Sequence, residues 1–264
     1  MTGGADLTGG VRPGAVSLGI PGTTPLATVR AVAERAERAG FRTLWVNDLP
    51  NGDSLAALRA AAEVTDRIGL ATGVIPLDRR PAASLDFAGL PVDRLTVGIG
   101  SGAASGPLGL VRDGVAALRD RTDAAIVVGA LGPRMRRLAA TDADGVLLNW
   151  LTPSAADGAA DELRRDADGG AVRAVLYVRT IAGEAARSAL VAEADRYGRV
   201  PAYAANFDRL GFHAIDATLD GAAGLGAYRA AVDEVVLRAI TPEGTSSQFE
   251  AFIDTTAGWV ARDA

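Results

Sequence analysis

The stretch Ala124–Trp150, AAIVVGALGPRMRRLAATDADGVLLNW, decides the fold. Ala125–Val128 is an apolar run of the length expected for a buried strand. It breaks at Gly129-Ala130-Leu131-Gly132-Pro133, and a helical stretch with Met135 and Leu138 at i,i+3 follows. Asp142–Gly145 reads as a turn, and Val146–Leu148 opens the next strand. Strand, tight loop, helix and strand form the repeat of a parallel α/β protein. Gly132 suits an N-cap where backbone must approach a ligand. Pro133 suits the first helical position, where its missing N–H costs nothing. The free N–H groups of Arg134 and Met135, with the helix dipole, make an anion site, and Arg134, Arg136 and Arg137 add positive charge. The same pattern describes an ordinary strand–helix turn with surface arginines, and it leaves both readings open.

Working outward, similar apolar runs occur at Val16–Ile20, Thr43–Val46, Leu70–Val74, Leu95–Ile99, Val172–Val178 and Glu234–Ala239. Between them lie helical patterns. Pro25–Ala39 sets Leu26, Val29, Ala33 and Ala36 on one face, with Gly40 as its C-cap. Ser54 is read as the cap of a second helix. Leu108–Leu118, Ser154–Asp166 and Ser246–Val260 are further helices, and Glu184–Leu225 holds two or three helical pieces. Only a short connection, Leu77–Pro91, joins the third strand to the fourth. Eight strands alternating with helices predict an α/β protein with a single (β/α)8 TIM-type barrel over residues 15–264. The 264 residues are close to the ~250 typical of that architecture. Met1–Gly14 is Gly-rich and reads as a loose tail.

Composition narrows the chemistry. Hydrophobic residues make up 48%, enough for a large core, and the net charge of −5 argues against nucleic acid as a partner. There is no cysteine, which excludes thiolate metal sites and cysteine nucleophiles. The single histidine, His213, argues against a His-rich metal centre or a Ser-His-Asp triad, and no metal site is expected. All basic side chains are arginine, which excludes Schiff-base chemistry. No apolar run approaches the roughly 20 residues of a membrane span. The expectation is a cytoplasmic protein with no membrane partner.

The motif G-A-L-G-P-R-M-x-R-L-A…A-D-G-V-L-L-N-W closely resembles the luciferase-like family, in particular its branch that uses the deazaflavin coenzyme F420. Gly40–Asp48 (GFRTLWVND), Thr65–Val74 (TDRIGLATGV) and Val232–Ile240 (VDEVVLRAI) match in the expected order. The resemblance implies a TIM-type barrel with the cofactor phosphate on Gly129, Ala130, Leu131, Gly132, Pro133, Arg134 and Met135. It implies that Thr72, Gly73 and Val74 back the deazaflavin ring, with a cis peptide between Gly73 and Val74. Ser101 would line the same pocket. Asn47, Asp48 and Trp150 would face a small-molecule substrate, and hydride would pass at the C-terminal mouth. FMN with oxygen, as in the monooxygenases, is the alternative cofactor. Homodimers are usual in the family. The chain departs from the family in two places. Leu49 stands where many members carry a histidine that acts as acid or base, and only Ser101–Pro107 (SGAASGP) fills the place of a long covering segment. An open pocket follows, with weaker water exclusion around any charged transition state. These departures make a non-catalytic, flavin-binding relative the other alternative.

The residues themselves leave choices. Asp48 is either a base or a loop cap, and Trp150 either stacks on a ring or is core. Arg238, inside a strand, either points to an anionic mouth or pairs with an acid such as Glu234. Gly98-Ile99-Gly100-Ser101-Gly102-Ala103 matches G-x-G-x-x-[GA]. Eight β–α units fit a barrel better than a dinucleotide sheet, so this run reads as a pocket loop. His213 reads as structural. The leading reading is an F420-dependent oxidoreductase.

Overall fold

The computed structural model describes residues 14–262. Most of the tail read from the sequence, residues 1–13, and the last two residues lie outside the described range. The elements run β1 (Ala15–Pro21), α1 (Leu26–Arg38), β2 (Thr43–Asn47), α2 (Ser54–Ala62), β3 (Gly69–Thr72), β4 (Ile75–Pro76) and β5 (Leu95–Gly100). Then come α3 (Pro107–Arg119), β6 (Ala125–Gly129), α4 (Pro133–Asp142), β7 (Gly145–Asn149), α5 (Pro153–Asp166) and β8 (Arg173–Thr180). The chain ends with α6 (Arg187–Gly198), α7 (Pro201–Leu210), β9 (Thr218–Leu219), α8 (Leu225–Ala231), β10 (Glu234–Ala239) and α9 (Ser246–Arg262).

Every strand pairing is parallel. The order β10-β1-β2-β3-β5-β6-β7-β8 closes on itself because β8 also pairs with β10. The expected (β/α)8 barrel is therefore what forms. Asn47, Val74, Ser101, Ala130 and Asn149, each at or just beyond a strand end, gather at the C-terminal rim. The link from β3 to β5 lacks an α-helix and carries two short 3₁₀ turns instead, at Ala82–Ser84 and Val92–Arg94.

Local chemistry explains the element ends. Gly132 is the N-cap of α4 with Pro133 behind it, as expected. The cap of α2 differs: the side chain of Asp53, not Ser54, accepts from the backbone of Leu55 and Ala56. Ser54 already lies inside the helix, so its hydroxyl is free to serve Asp48. In α1, Val29, Val32, Ala33 and Ala36 are buried, but Leu26 is 44% exposed at the first turn. β8 runs two residues past the expected Val178, and that extension carries Arg179 to the rim.

Alternation decides what faces inward. The inward positions hold an apolar plug of Trp45, Ala71, Val127, Leu147, Val175, Tyr177 and Val236. Outward positions pack with the helices in one large core. Below the plug sits a buried carboxylate, Glu234. It accepts from Ser17 Oγ at 2.6 Å and Trp45 Nε1 at 2.7 Å, with Arg173 Nη1 at 3.7 Å. A buried carboxylate is tolerable only when so surrounded. Among the described residues no helix is long and apolar enough to cross a membrane. Replacing Glu234 by Ala should strand these donors in a dry interior and cost about 3 kcal/mol or more of unfolding free energy. Urea titration of the two proteins measures it; a difference near zero would show that the barrel floor does not depend on this carboxylate.

Candidate active site

The rim is built on a break in β3. Leu70 and Ala71 pair with Leu95 and Thr96, whereas Ile75 and Pro76 pair with Ile99 and Gly100, so the register slips by one residue between β3 and β4. That is the signature of a bulge. Thr72 anchors it: its hydroxyl donates to Gly98 O at 2.9 Å and accepts from Gly98 N at 2.8 Å. The Gly73–Val74 peptide is cis, as the resemblance implied. Asn47 Nδ2 donates to Gly73 O at 2.5 Å and fixes the bulge from β2.

Glycine is required here by space. A Cβ on Gly73 would stand 2.5 Å from the Tyr177 hydroxyl, and one on Gly100 2.9 Å from Val74 Cγ2. The Val74 isopropyl group also packs 3.1 Å from where a Cβ on Gly129 would lie. The Tyr177 hydroxyl, beneath Gly73, is buried with no hydrogen-bond partner. Burial pushes its pKa well above the ordinary tyrosine value, so it stays neutral.

Opposite the glycines stand two arginines. β8 and β10 pair Arg179 directly with Arg238, and both lie almost wholly buried, at 3% and 8% exposure. Arg179 donates through Nε to Glu193 of α6 at 3.0 Å and through Nη1 to Asn149 Oδ1. Its guanidinium covers the Trp150 ring, 4.3 Å from the centroid. Asn149 Nδ2 in turn donates to the Tyr203 hydroxyl of α7 at 3.0 Å. For Glu193, burial alone would raise the carboxyl pKa. Arg179 and Arg238 outweigh it and hold the group below the usual carboxylate range. Arg238 donates through Nε to Asn47 Oδ1 at 2.8 Å and through Nη1 to Ala239 O. The choice left open by the sequence is resolved: Arg238 does not pair with Glu234, which belongs to the floor, and faces the mouth.

The other expected residues lie as follows. Asp48 is buried and accepts from Ser54 Oγ at 2.7 Å and from the Arg80 guanidinium, with Arg79 3.6 Å away. These contacts make it a tether between the rim and α2 rather than a free base. Trp150 is 0% exposed and is enclosed by Tyr197, Phe207 and Arg179, with φ at +57°. No ring face is left for a ligand, so the core alternative describes it. Ser101 and Val74 are partly exposed on the rim. In the loop Gly129–Met135, Gly132 has no neighbour where a Cβ would go, and no side chain caps α4. The backbone N–H groups of Arg134 and Met135 are thus left for a ligand or water. Arg134 is exposed. Arg136 is buried and bound to Leu131 O and Glu162, and Arg137 reaches Asp166. Of the three arginines expected to add charge there, only Arg134 lacks an acidic partner. His213 closes a capping box with Asp216, the structural role expected of it.

Arg179, Glu193, Tyr203 and Tyr177 escaped the sequence reading. The signal was present for two of them: Arg173, Val175, Tyr177 and Arg179 alternate through β8, and an arginine on the inward face of a closed barrel demands a partner. Glu193 and Tyr203 arrive from α6 and α7, whose path no local pattern gives.

The fold has known counterparts. Residues 8–123 match the family model for luciferase-like monooxygenases. The matched segment contains Asn47, the bulge and Ser101, and it ends before the α4 loop. No curated protein sequence matches the chain. Among solved structures, the coenzyme F420-dependent tetrahydromethanopterin reductase from Methanopyrus kandleri shares the fold with a TM-score of 0.65 at 16% identity, over 91% of this chain and 98% of that one. A monooxygenase, RslO1, from Streptomyces bottropensis gives 0.69 at 16% identity, over 94% and 99%. The oxygenating constituent of 3,6-diketocamphane monooxygenase from Pseudomonas putida, in complex with FMN, gives 0.64 at 12% identity, over 94% and 98%. The fold of this chain is thus that of both deazaflavin- and flavin-dependent enzymes.

Because the Tyr177 hydroxyl is buried without a partner, Tyr177→Phe should leave stability unchanged or raise it by about 1 kcal/mol. Gly73→Ala should destabilise by forcing its methyl group against that hydroxyl, and the double variant should recover part of the loss, since the ring carbon Cζ still lies 2.9 Å from the methyl position. Denaturant titration of the four proteins forms the cycle. Additive effects in it would mean that Gly73 and Tyr177 do not meet.

Proposed function

We propose that this chain is a luciferase-like oxidoreductase that binds coenzyme F420 at the barrel mouth and passes a hydride between its ring and a small organic substrate. The observation that carries the reading is the bulged, glycine-lined platform at Thr72–Val74 on the same rim as the uncapped N-terminus of α4. The residues present fit a flat ring with an anionic tail. Gly73, Gly100 and Gly129 let Tyr177 and Val74 pack tightly against the backbone and shape the bulge, and the α4 terminus has free donors and no side-chain cap. When bound, the ring supplies the hydride chemistry, and the protein supplies position and field.

In this reading Thr72, Gly73 and Val74 support the ring, and the N–H groups of Arg134 and Met135 hold the phosphate with Gly129–Gly132 around it. Ser101 borders the ring edge. Asn47 is the one of the three expected substrate-facing residues whose amide stands at the mouth, held between Gly73 O and Arg238 Nε. Asp48 and Trp150 act by holding the rim in shape. Leu49 carries no proton, so the acid–base role of the family histidine is not filled at that position. A cytoplasmic, isologous homodimer belongs to the same reading; its mass in solution checks the dimer.

Fluorescence titration decides the cofactor. F420 should bind more tightly than FMN or a nicotinamide nucleotide, with affinity falling as salt rises. FMN binding as tight or tighter would favour the monooxygenase alternative. Binding of neither, with turnover absent, would defeat the oxidoreductase reading. Gly132→Asp should abolish coenzyme affinity while the melting temperature is kept. The added carboxylate has open space, is a good N-cap, and repels an incoming phosphate. Unchanged affinity in that variant would mean that the phosphate binds elsewhere.

A further inference from the structure

The β8–β10 side of the mouth holds more positive than negative charge. Arg179 and Arg238 sit side by side at one register position of β8 and β10, each in the other's field. One carboxylate serves them, Glu193, and it is bonded to Arg179. Of the other acids near the rim and in the barrel, Asp48 pairs with Arg79 and Arg80 and Glu234 with Arg173, while Asp78 lies on the far side of the mouth and accepts from Ala103 N. Among the described residues no carboxylate lies within ion-pair distance of Arg238. Two of its nitrogens, Nε and Nη1, are used by Asn47 and Ala239. Its Nη2 has no protein partner and, unlike the Tyr177 hydroxyl, is not sealed from solvent.

Keeping two guanidiniums so deep with one carboxylate to serve both is expensive, because burial disfavours the charged form. The tethers to Asn47 and Ala239 also fix the fork and cut the ordering cost of binding an oxyanion through it. We propose that Arg238, flanked by Arg179, is an anion subsite that selects a substrate bearing a carboxylate or phosphate group. The inference rests on the mouth being the active site. Arg238 is linked through Asn47 to the carbonyl of Gly73, so an anion held there is anchored beside the ring platform. It lies apart from the cofactor phosphate, which is assigned to the α4 terminus. Arg238 is then a substrate-orienting residue, and neutral substrates of the same shape are disfavoured.

The test uses the purified protein without added coenzyme, its melting temperature followed against inorganic phosphate and, separately, acetate at constant ionic strength. It is run in Gly132→Asp protein so that the α4 terminus does not answer for the mouth. A saturable rise is expected, and Arg238→Gln in the same background is expected to weaken apparent affinity tenfold or more. Arg238→Lys keeps the charge but not the fork and should fall between the two. An equal response without Arg238, or no response with it, overturns the proposal. So does a tenfold loss of coenzyme affinity in Arg238→Gln alone, since the guanidinium would then serve the cofactor's own anion. Failure of every coenzyme to bind the unaltered protein defeats the oxidoreductase reading by itself, while the phosphate and acetate responses still decide the anion subsite.

Discussion

A closed parallel barrel has an inward face that meets water only at its ends, so each charge placed on that face must find a partner inside or reach a rim. This constraint orders the molecule along the barrel axis. Glu234 is held at the floor, one oxygen accepting from Ser17 and Trp45 and the other facing Arg173 at 3.7 Å. The apolar plug above it seals that pair from the mouth. Arg179 and Arg238 occupy the next inward register above Tyr177 and Val236, where solvent or another element can meet them. Without the plug, the floor carboxylate and the rim guanidiniums would fall into one another's fields, and the β8–β10 side of the mouth would lose its excess of positive charge.

The helices outside the barrel complete what the strands begin. α6 delivers Glu193 to Arg179, and α7 delivers the Tyr203 hydroxyl to Asn149. Trp150, Tyr197 and Phe207 form the apolar pad that holds these helices to the rim. The opposite side of the mouth has no such structure. The loop after β5 is built from glycine, alanine and serine, with Gly102 at φ +59° against Asp78 and Ala103 N bonded to Asp78 Oδ2 at 2.9 Å. One half of the mouth is thus thick with aromatic and charged side chains, and the other half is nearly bare backbone. A ligand that enters has a stiff polar wall on one side and a smooth glycine-lined floor on the other.

What was legible in the sequence was local or periodic. The strands from Val16 to Glu234 announced themselves as apolar runs, and Gly132-Pro133 announced the start of α4 before any partner was known. The bulge at Thr72–Val74 was reached through resemblance, because nothing in three small residues states that the register slips there. The reading was weakest where a side chain's partner lies far along the chain. Asp48 could not be told from a base until Arg80, 32 residues on, was seen bonded to it. Ser54 was a better cap than Asp53 by position in the pattern. The backbone instead begins its helix at Ser54 and leaves Asp53 extended, with its carboxylate on the first free amides. Trp150 ends a strand at the rim, yet its backbone adopts a left-handed turn and its ring lies under α6.

The two departures from the luciferase-like pattern act on different parts of the candidate site, and the geometry keeps them separate. Leu49 removes a proton donor at the end of β2, but Asn47, two residues earlier and on the inward face, still reaches Gly73 O and Arg238. The platform, its amide brace and the guanidinium beside it form one hydrogen-bonded chain that contains no member from position 49. In the proposed reading, support for a ring and attraction for an anion therefore do not depend on a histidine at position 49; only proton transfer does. The shortened loop after β5 similarly removes cover without touching that chain, since Thr72 and Gly98 lock the bulge from beneath. In the proposed oxidoreductase, such a site has its binding geometry, and acid–base chemistry comes from water or from the substrate. The charge at the mouth matters more for that reason. With water admitted on the bare side, orientation of the proposed substrate falls to the opposite wall, where Arg238 is held at two of its three nitrogens.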